Sequence, residues 1–260
     1  NFCFHLEKGE AFDTPQAILS YSGTGLTKLS QQYHEIIREH ICRGAYKHAK
    51  RPILINNWEA TYFNFNEEKI LKIAEQAQKL GIEMLVLDDG WFGKREDDNS
   101  GLGDWFVNEK KMNGSMAQLA EKIHKMGMKF GLWFEPEMIS EDSDLYRAHP
   151  DWAFAIPGRV PNHSRNQLVL DMTREDVREY LLERLTTIVH DAKIDYVKWD
   201  MNRHISDNYS PALAEQGRFS HGYILGLYRV LQSIVEQNPD VLFEGCSSGG
   251  NRFDLVILCY

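Results

Sequence analysis

The sequence predicts an α/β fold in which a parallel sheet carries helices on its faces. From position 51 onward, short apolar segments alternate with longer amphipathic segments, and near-continuous apolar strands are typical of a parallel sheet that is buried on both sides. Each apolar segment is followed by acidic, amide or tryptophan side chains. The carboxyl ends of the strands form the ligand-binding edge in a (β/α)8 barrel and also in a doubly wound sheet, so the strand pattern leaves both architectures open.

The elements can be assigned in order along the chain. Residues 1–30 contain short apolar stretches broken by turn residues, which indicates the end of a preceding β region, and residues 28–48 have the apolar spacing of a helix. Residues 168–170 could form a further strand, but the Pro, Gly and Asn content of residues 135–167 favours a loop. We predict core strands at 52–56, 83–87, 129–134, 194–197 and 241–244, and helices between them at 66–80, 115–126, 173–192 and 218–237.

Composition and charge exclude several classes of function. The chain has 260 residues, of which 43% are hydrophobic and 26% are charged, as in an ordinary globular protein. Its formal charge of −9 argues against nucleic acid or an anionic membrane as a partner, and no apolar run reaches the ~18 residues of a membrane span. No G-x-G-x-x-G or P-loop follows a strand, and the sequence contains no HExxH motif or Cys/His cluster. We therefore expect neither a nucleotide cofactor nor a metal.

The cysteines suit a reducing compartment. No two of them form a CxxC pair, which argues against a disulfide framework and against a zinc knuckle. The N-terminus has no signal-peptide pattern, so we expect a cytoplasmic protein. The first residue is Asn1 and not Met, and we expect the chain to be a piece of something longer. The cysteines are Cys3, Cys42, Cys246 and Cys259.

Carboxylates and tryptophans at the strand ends point to a sugar ligand. Asp88 and Asp89 follow one predicted strand, where they could hold two hydroxyl groups or simply form a turn and cap a helix. Trp58 and Trp133 could stack on a sugar ring or fill the core. Glycoside hydrolysis usually needs two catalytic carboxyl groups, one as the acid and one as the nucleophile or base.

Asp200 is the strongest candidate for a reactive carboxylate. It follows a buried apolar strand and lies between Lys198 and Arg203, with Asn202 beside it. Nearby positive charge should lower its pKa and keep it ionised, as a nucleophile requires. The plain alternative is a buried salt bridge between Asp200 and Lys198. Glu135 is interpreted as structural, as is its near neighbour Glu137.

One further motif indicates a different enzyme class. Residues 245–249 match G-x-S-x-G, the nucleophile elbow of serine hydrolases, and they follow a predicted strand. That class also needs an acid and then a histidine later in the chain. Asp254 follows Ser247, but no histidine does. The glycines are better explained by close approach of the backbone to a ligand.

Five stretches resemble the signature motifs of glycoside hydrolase family 36, a family of retaining α-galactosidases, and the bacterial type most closely. The likeness extends from about Gly9 to Tyr260, and the motifs occur in the family's order. The stretches are Asn57-Trp58-Glu59-Ala60, Asp88-Asp89-Gly90-Trp91-Phe92, Gly131-Leu132-Trp133-Phe134-Glu135-Pro136-Glu137, Lys198-Trp199-Asp200-Met201-Asn202-Arg203 and Cys246-Ser247-Ser248-Gly249-Gly250.

The resemblance implies a (β/α)8 TIM barrel that is incomplete in this chain, with about its first five strands present. It also implies a large β-sandwich domain before the barrel and a smaller β domain after it. Residues 1–50 would then be the end of the β-sandwich domain and a linker helix. Residues 51–260 would be the N-terminal part of the catalytic barrel.

The resemblance also implies roles for individual residues. Asp200 matches the family's nucleophile, and Asp88 with Asp89 matches the pair that holds the 4- and 6-hydroxyls of galactose. The family's general acid/base is an Asp just beyond Tyr260, so we expect this chain to lack it. Other residues match contacts to the sugar or the wall of its pocket: Trp58, Trp133, Arg165, Lys198, Asn202, Cys246 and Gly249.

The implied activity is retaining hydrolysis of terminal α-galactosyl residues of the melibiose or raffinose type. We expect a small-molecule α-galactoside as the partner and a homo-oligomer as the parent protein. The chain departs from the family pattern at Asn251, where Gly is usual, and at residues 255–256, where Pro-Gly is usual. Three alternatives stay open: a transglycosylating relative such as a raffinose synthase, an α-N-acetylgalactosaminidase, and a non-catalytic sugar-binding module.

Overall fold

A five-stranded parallel sheet organises the molecule, for which a computed structural model describes residues 3–260. The strands are β1 (Leu54–Asn56), β2 (Met84–Leu87), β3 (Lys129–Phe134), β4 (Met138–Ile139), β5 (Leu168–Val169), β6 (Tyr196–Trp199) and β7 (Leu242–Gly245). The α-helices are α1 (Leu26–Ile36), α2 (Trp58–Thr61), α3 (Glu67–Lys79), α4 (Met116–Lys125), α5 (Asp144–Ala148), α6 (Glu175–Asp191) and α7 (Phe219–Gln237). A π-helical turn follows α1 at Ile37–Ile41, and short 3-10 turns lie at Ala45–Lys47, Pro150–Trp152, Gln216–Arg218 and Ile257–Cys259.

The order of the strands decides between the two architectures that the sequence leaves open. The sheet runs β1-β2-β3-β6-β7, and all of its pairings are parallel. Each new strand is therefore added on the same side of the previous one. A doubly wound sheet instead reverses its order at a switch point, whereas a barrel grows in one direction. The order is that of the first part of a (β/α)8 barrel.

The four long helices α3, α4, α6 and α7 each bury one face in the core. Buried residues of α6 recur at helical spacing, at Val177, Leu181, Leu185 and Ile188, and each such side chain contributes roughly 1.5–3 kcal/mol when fully removed from water. The helix α4 begins with a capping box, in which Ser115 and a glutamine three residues later satisfy each other's backbone amides. Capping and apolar spacing are local signals, and the four long helices lie within two residues of their predicted bounds.

The loop expected around residues 168–170 contains a short strand, so that interpretation was wrong. Strand β5 pairs antiparallel with β4, in the register Met138↔Val169 and Ile139↔Leu168, and all four residues are buried. Two-residue strands have no detectable alternation, and this pairing joins segments about 30 residues apart. Tertiary contact, and not local pattern, forms this ladder.

The N-terminal segment packs against the barrel part. Within residues 3–25 no helix or strand is present, and α1 ends near the π-turn, well before the expected residue 48. Arg218, just before α7, donates to the backbone oxygen of His5 over 3.0 Å and to Glu10 over 2.9 Å. The assignment of residues 1–50 to the end of a β-sandwich domain stays a prediction, and its first two positions lie outside the described residues. None of the described helices has the length and apolar character needed to cross a membrane.

Candidate active site

The candidate site lies at the carboxyl-terminal edge of the sheet. The registers pair Leu87 with Leu132, Phe134 with Trp199, and Trp199 with Gly245, so the strands end at a common level. The residues that follow the strands therefore project from one edge, as the sequence predicts.

Asp200 is buried at this edge, where three N–H donors of the protein hold its carboxylate. One oxygen, Oδ2, accepts from Trp133 Nε1 at 3.0 Å and from Asn202 Nδ2 at 2.7 Å. The other, Oδ1, accepts from the backbone N–H of Met201 at 2.9 Å. The backbone N–H of Asp200 itself donates to Phe134 O at 2.8 Å, which continues the ladder between β3 and β6. Strands β3 and β6 together therefore fix the orientation of the Asp200 carboxylate.

These contacts keep Asp200 ionised. Burial acts to raise the pKa of Asp200, but the opposing contacts outweigh it and lower the pKa below its ordinary value. The opposing contacts, from largest to smallest, are hydrogen bonds from Trp133, Asn202 and Cys246 and the charge of Lys198.

The direction of this shift agrees with the sequence prediction, but its expected cause was partly wrong. Arg203 donates to the backbone oxygens of Asn162 and Gln167, at 2.9 and 2.6 Å, and does not pair with Asp200. Lys198 donates to Asp88 and not to Asp200. Neutral donors, which proximity in sequence could not reveal, therefore outweigh the cations.

Asp88 and Lys198 form an ion pair that joins β2 to β6. Lys198 Nζ lies 3.0 Å from Asp88 Oδ2, which also accepts from Asn56 at the end of β1. The Asp88 backbone N–H donates to Asn57 Oδ1 at 2.7 Å. Three strand ends thereby converge on one carboxylate, which is 4% exposed. The alternative salt bridge between Lys198 and Asp200 is not formed.

Asp89 has a different environment from its neighbour. The Arg95 guanidinium donates to both of its carboxylate oxygens, with Nη2 at 2.8 Å from Oδ2 and Nε at 3.0 Å from Oδ1. Both side chains are less than a tenth exposed. The structure therefore splits the predicted pair into one carboxylate paired with a lysine of the site and one paired with a buried arginine. Sequence reasoning missed Arg95, which lies six residues away in an irregular loop.

The two tryptophans also differ. Trp133 is buried, stacks on Phe92 at a centroid distance of 6.2 Å and donates to Asp200, so it is part of the core and part of the site at once. Trp58 begins α2, is partly exposed, and meets the rings of Tyr62 and Phe63 edge to face. Trp58 has the exposure that a pocket-wall residue needs.

The loop after β7 brings Cys246 to the nucleophile. The backbone N–H of Cys246 donates to Trp199 O at 2.7 Å, and its thiol hydrogen-bonds Asp200. Burial raises the pKa of that thiol, as does the charge of Asp200. Gly249 has a φ of 98° with open space around its α-carbon, which favours glycine at this turn. Ser247 Oγ is buried without a hydrogen-bond partner among the described residues, unlike the nucleophile of a serine hydrolase.

Arg165 is the predicted site residue that the structure does not connect to the others. It is exposed and has a φ of 56°, within the turn bridged by Ser164 and Gln167. Within residues 3–260 no contact joins its side chain to Asp200, Asp88 or Lys198. Its expected contact with the sugar stays a prediction.

Glu135 and Glu137 are two buried carboxylates that sequence reasoning set aside. Glu137 accepts from Trp199 Nε1 at 3.1 Å, Tyr223 Oη at 2.6 Å and Arg252 Nη1 at 2.6 Å. It is fully buried, which agrees with a structural role.

Glu135 differs from Glu137 because its partners belong to the site. Its Oε1 accepts from Gln167 Nε2 at 3.0 Å and from the backbone N–H of Asn202. Burial raises the pKa of Glu135 to about 7, and the charge of Asp200 adds to this shift. Its place after β3, at the same edge as the other site residues, was the one signal for this side chain in the sequence.

Comparisons with known proteins identify the relatives of this chain. A family model described as melibiase matches residues 11–260. The bifunctional α-galactosidase/sucrose kinase AgaSK of Mediterraneibacter gnavus is 54% identical over 259 residues, which are 100% of this chain and 27% of that protein. The α-galactosidase AgaA of Geobacillus stearothermophilus is 52% identical and is covered over 36% of its length. The chain thus spans about a third of the length of these curated relatives.

Solved structures show the same fold. The crystal structure of the family 36 α-galactosidase AgaA from Geobacillus stearothermophilus matches with a TM-score of 0.90 and 53% identity, over 92% of this chain and 34% of that one. Variants of AgaA in complex with raffinose and with stachyose match with TM-scores of 0.90 and 0.89, at 53% and 52% identity. They cover 92% of this chain and 34% and 33% of theirs. The five strands therefore form part of a (β/α)8 barrel, as the resemblance implied.

Proposed function

The chain belongs to the melibiase family, and on that premise we propose that the complete protein is a retaining α-galactosidase. It removes terminal, non-reducing α-galactosyl residues from small galactosides of the melibiose or raffinose type. The observation that carries this proposal is the state of Asp200, a buried carboxylate kept ionised by oriented donors. The similar proteins support the substrate class, because variants of AgaA are in complex with raffinose and with stachyose in the matching structures.

In the proposed first step, a carboxylate oxygen of Asp200 attacks the anomeric carbon. A bond from that oxygen to the carbon forms while the glycosidic bond breaks, and the leaving oxygen takes a proton from a second carboxyl group. In the second step that group removes a proton from water, which attacks the same carbon and releases Asp200. We propose that this second group is an Asp that follows Tyr260 in the complete protein, as the family resemblance implies. Trp133 and Asn202 contribute by holding Asp200 Oδ2, which removes the need to reorient the nucleophile during the reaction.

Recognition of galactose is assigned to the edge formed by β1, β2 and β6. Asp88, braced by Lys198 and Asn56, presents a charged acceptor whose position is set by three strands. A site built to bond a hydroxyl group discriminates against a sugar that misplaces this hydroxyl, because its own polar groups are left unpaired. We assign the axial 4-hydroxyl and the 6-hydroxyl of galactose to this edge.

The test uses the complete protein and p-nitrophenyl α-galactoside, with p-nitrophenyl α-glucoside as the control. Proton NMR during the first minutes of turnover shows which anomer of galactose is released. We expect α-galactose as the first product and a strong preference for the galactoside. First release of β-galactose would contradict the retaining mechanism, and an equal rate on the glucoside would contradict the substrate class. With raffinose alone, accumulation of longer galactosides in place of free galactose would favour the transglycosylating alternative.

A further inference from the structure

Glu135 is a buried carboxylate that hydrogen-bonds the turn carrying the proposed nucleophile, Asp200. Its side chain is 2% exposed and follows the last residue of β3. That last residue, Phe134, accepts the backbone N–H of Asp200. The carboxylate of Glu135 therefore occupies the position at which the β3–β6 ladder would continue, and it accepts the backbone N–H of Asn202 there.

Each of the first three backbone N–H groups after β6 has a hydrogen-bond acceptor. Residue 200 donates to β3, residue 201 donates to Asp200 Oδ1, and residue 202 donates to Glu135. Without Glu135 the third of these amides would lose its acceptor in a partly buried place, and an amide that is removed from water without a partner is costly. The path of the turn thus depends on this one carboxylate.

The backbone path of this turn determines the direction in which the Asn202 side chain points. Its amide nitrogen donates to Asp200 Oδ2 at 2.7 Å, while its oxygen accepts from Ser248 Oγ at 2.9 Å. A second anchor comes from Gln167, which donates to the same Glu135 oxygen at 3.0 Å. Glu135, at the end of β3, therefore links the loop that carries Gln167 to the turn that carries Asn202, and so affects the orientation of Asp200.

We infer that Glu135 is a positioning residue for the nucleophile, which holds the backbone of Asn202 so that its side-chain amide is aimed at Asp200. This inference rests on the proposed function, since it assumes that Asp200 attacks the substrate. Glu135 is not assigned a bond to the sugar or a proton transfer to it.

The charge of Glu135 adds a pH dependence to this role. An ionised acceptor binds N–H donors about twice as strongly as a neutral one. The charged groups that face Glu135 are Asp200, after β6, and Asp89, after β2, and both favour its neutral form. Burial and these charges raise the pKa of Glu135 to about 7. The hydrogen bond from the Asn202 backbone N–H to Glu135 should therefore strengthen as the pH rises through neutrality.

Two substitutions in the complete protein test the inference. Glu135→Ala removes the acceptor, and Glu135→Gln keeps an oxygen acceptor but removes the charge. The matched control is Asp104→Asn, which changes another buried carboxylate with a raised pKa. Asp104 caps α5 through the backbone amides of Asp144 and Leu145 and contacts no residue of the site. The substrates are p-nitrophenyl α-galactoside, whose leaving group needs no proton, and raffinose.

For Glu135→Ala we expect kcat to fall about 100-fold on both substrates, the size of effect that a small misplacement of a reacting group produces. KM should stay within about threefold, and Asp104→Asn should keep its kcat within about threefold. A loss confined to raffinose would show that Glu135 is a proton donor and overturn the positioning role. Full kcat in Glu135→Ala, or an equal loss in Asp104→Asn, would overturn it as well.

Glu135→Gln carries the test if the alanine variant does not fold. The ratio of wild-type kcat to that of Glu135→Gln should increase about tenfold as the pH rises from 5 to 8, because only the wild type gains charge. A ratio that is constant over this range would overturn the inference. Failure of the proposed substrate class can be distinguished from failure of this inference. If the wild-type protein prefers the glucoside, the same ratio of kcat values can be measured on that substrate.

Discussion

Asp200 and Asp89 are two buried aspartates at the same sheet edge, yet the hydrogen-bond donors around them differ in charge. Asp200 is held by an indole N–H, an amide and a backbone N–H, all of them neutral. Asp89 is held through both oxygens by the Arg95 guanidinium. Neutral donors orient a carboxylate without neutralising it, so Asp200 keeps a net negative charge that can attack a carbon. A bidentate arginine neutralises its partner and locks it in place, so Asp89 is suited to support.

The largest effect that the comparison predicts is the loss of Asp200. Asp200→Ala in the complete protein should lower kcat on p-nitrophenyl α-galactoside by at least about 10⁴-fold, because the covalent step is removed. Galactose binding should change little. Added azide should restore turnover and yield β-galactosyl azide, which mass spectrometry and NMR detect. Activity within tenfold of wild type would end the assignment of Asp200 as the nucleophile.

Asp89→Ala should instead act mainly on stability. The substitution leaves Arg95, which is 2% exposed, as an unpaired buried charge, and breaking a buried pair in this way costs about 3–5 kcal/mol. Chemical denaturation measures the change in the free energy of unfolding. The double variant Asp89→Leu with Arg95→Met is the control and should recover most of the loss, since it removes both charges. If the double variant is no more stable than the single one, the pair is not the source of the cost.

Asp88→Asn should change substrate preference more than stability. Asparagine keeps the shape but loses the charge that Lys198 and a sugar hydroxyl both use, and hydrogen bonds to charged groups contribute about 1.5–3 kcal/mol. We expect kcat/KM for the α-galactoside to fall about 10- to 150-fold while the slower α-glucoside reaction changes less. Steady-state kinetics on both substrates measure the ratio. An unchanged ratio would mean that Asp88 forms a turn and does not read the sugar.

The smallest effect concerns one donor to Asp200. Trp133→Phe keeps the packing against Phe92 but removes the indole N–H, the largest of the contacts that lower the pKa of Asp200. The acid limb of kcat/KM should therefore move to higher pH, with a loss of about tenfold or less at neutral pH.

Trp199→Phe is the matched control for that variant. Trp199 is equally buried, but its indole N–H donates to Glu137 and not to Asp200. The control should lose stability without moving the acid limb. An equal movement in both variants would show that packing, and not the hydrogen bond, sets the pKa of Asp200.

Much of the fold could be predicted because its signals are local. The strand 129–134 was predicted residue for residue, and the long helices were placed within two residues by their apolar spacing. The short pairing of β4 with β5 could not be predicted, because two-residue strands have no periodicity. The end of α1 was also missed, since its apolar residues continue past the point at which the backbone becomes extended at Cys42.

The sequence by itself determined which residue types gather at the site. Carboxylates, tryptophans, a lysine and an asparagine follow parallel strands, and parallel strands place such residues at one edge. This reasoning found Asp200 and Asp88, and the motifs identified the family.

Only the tertiary structure decided how those residues are paired. It joins Lys198 to Asp88, Arg95 to Asp89 and Glu135 to Asn202, while it turns Arg203 away from Asp200. The physical reason is that hydrogen bonds form over about 3 Å in space between groups that can lie 110 residues apart, as in the pair of Lys198 with Asp88. A strand end shows in the sequence which carboxylates are present, but their charge and orientation depend on partners contributed by other strands.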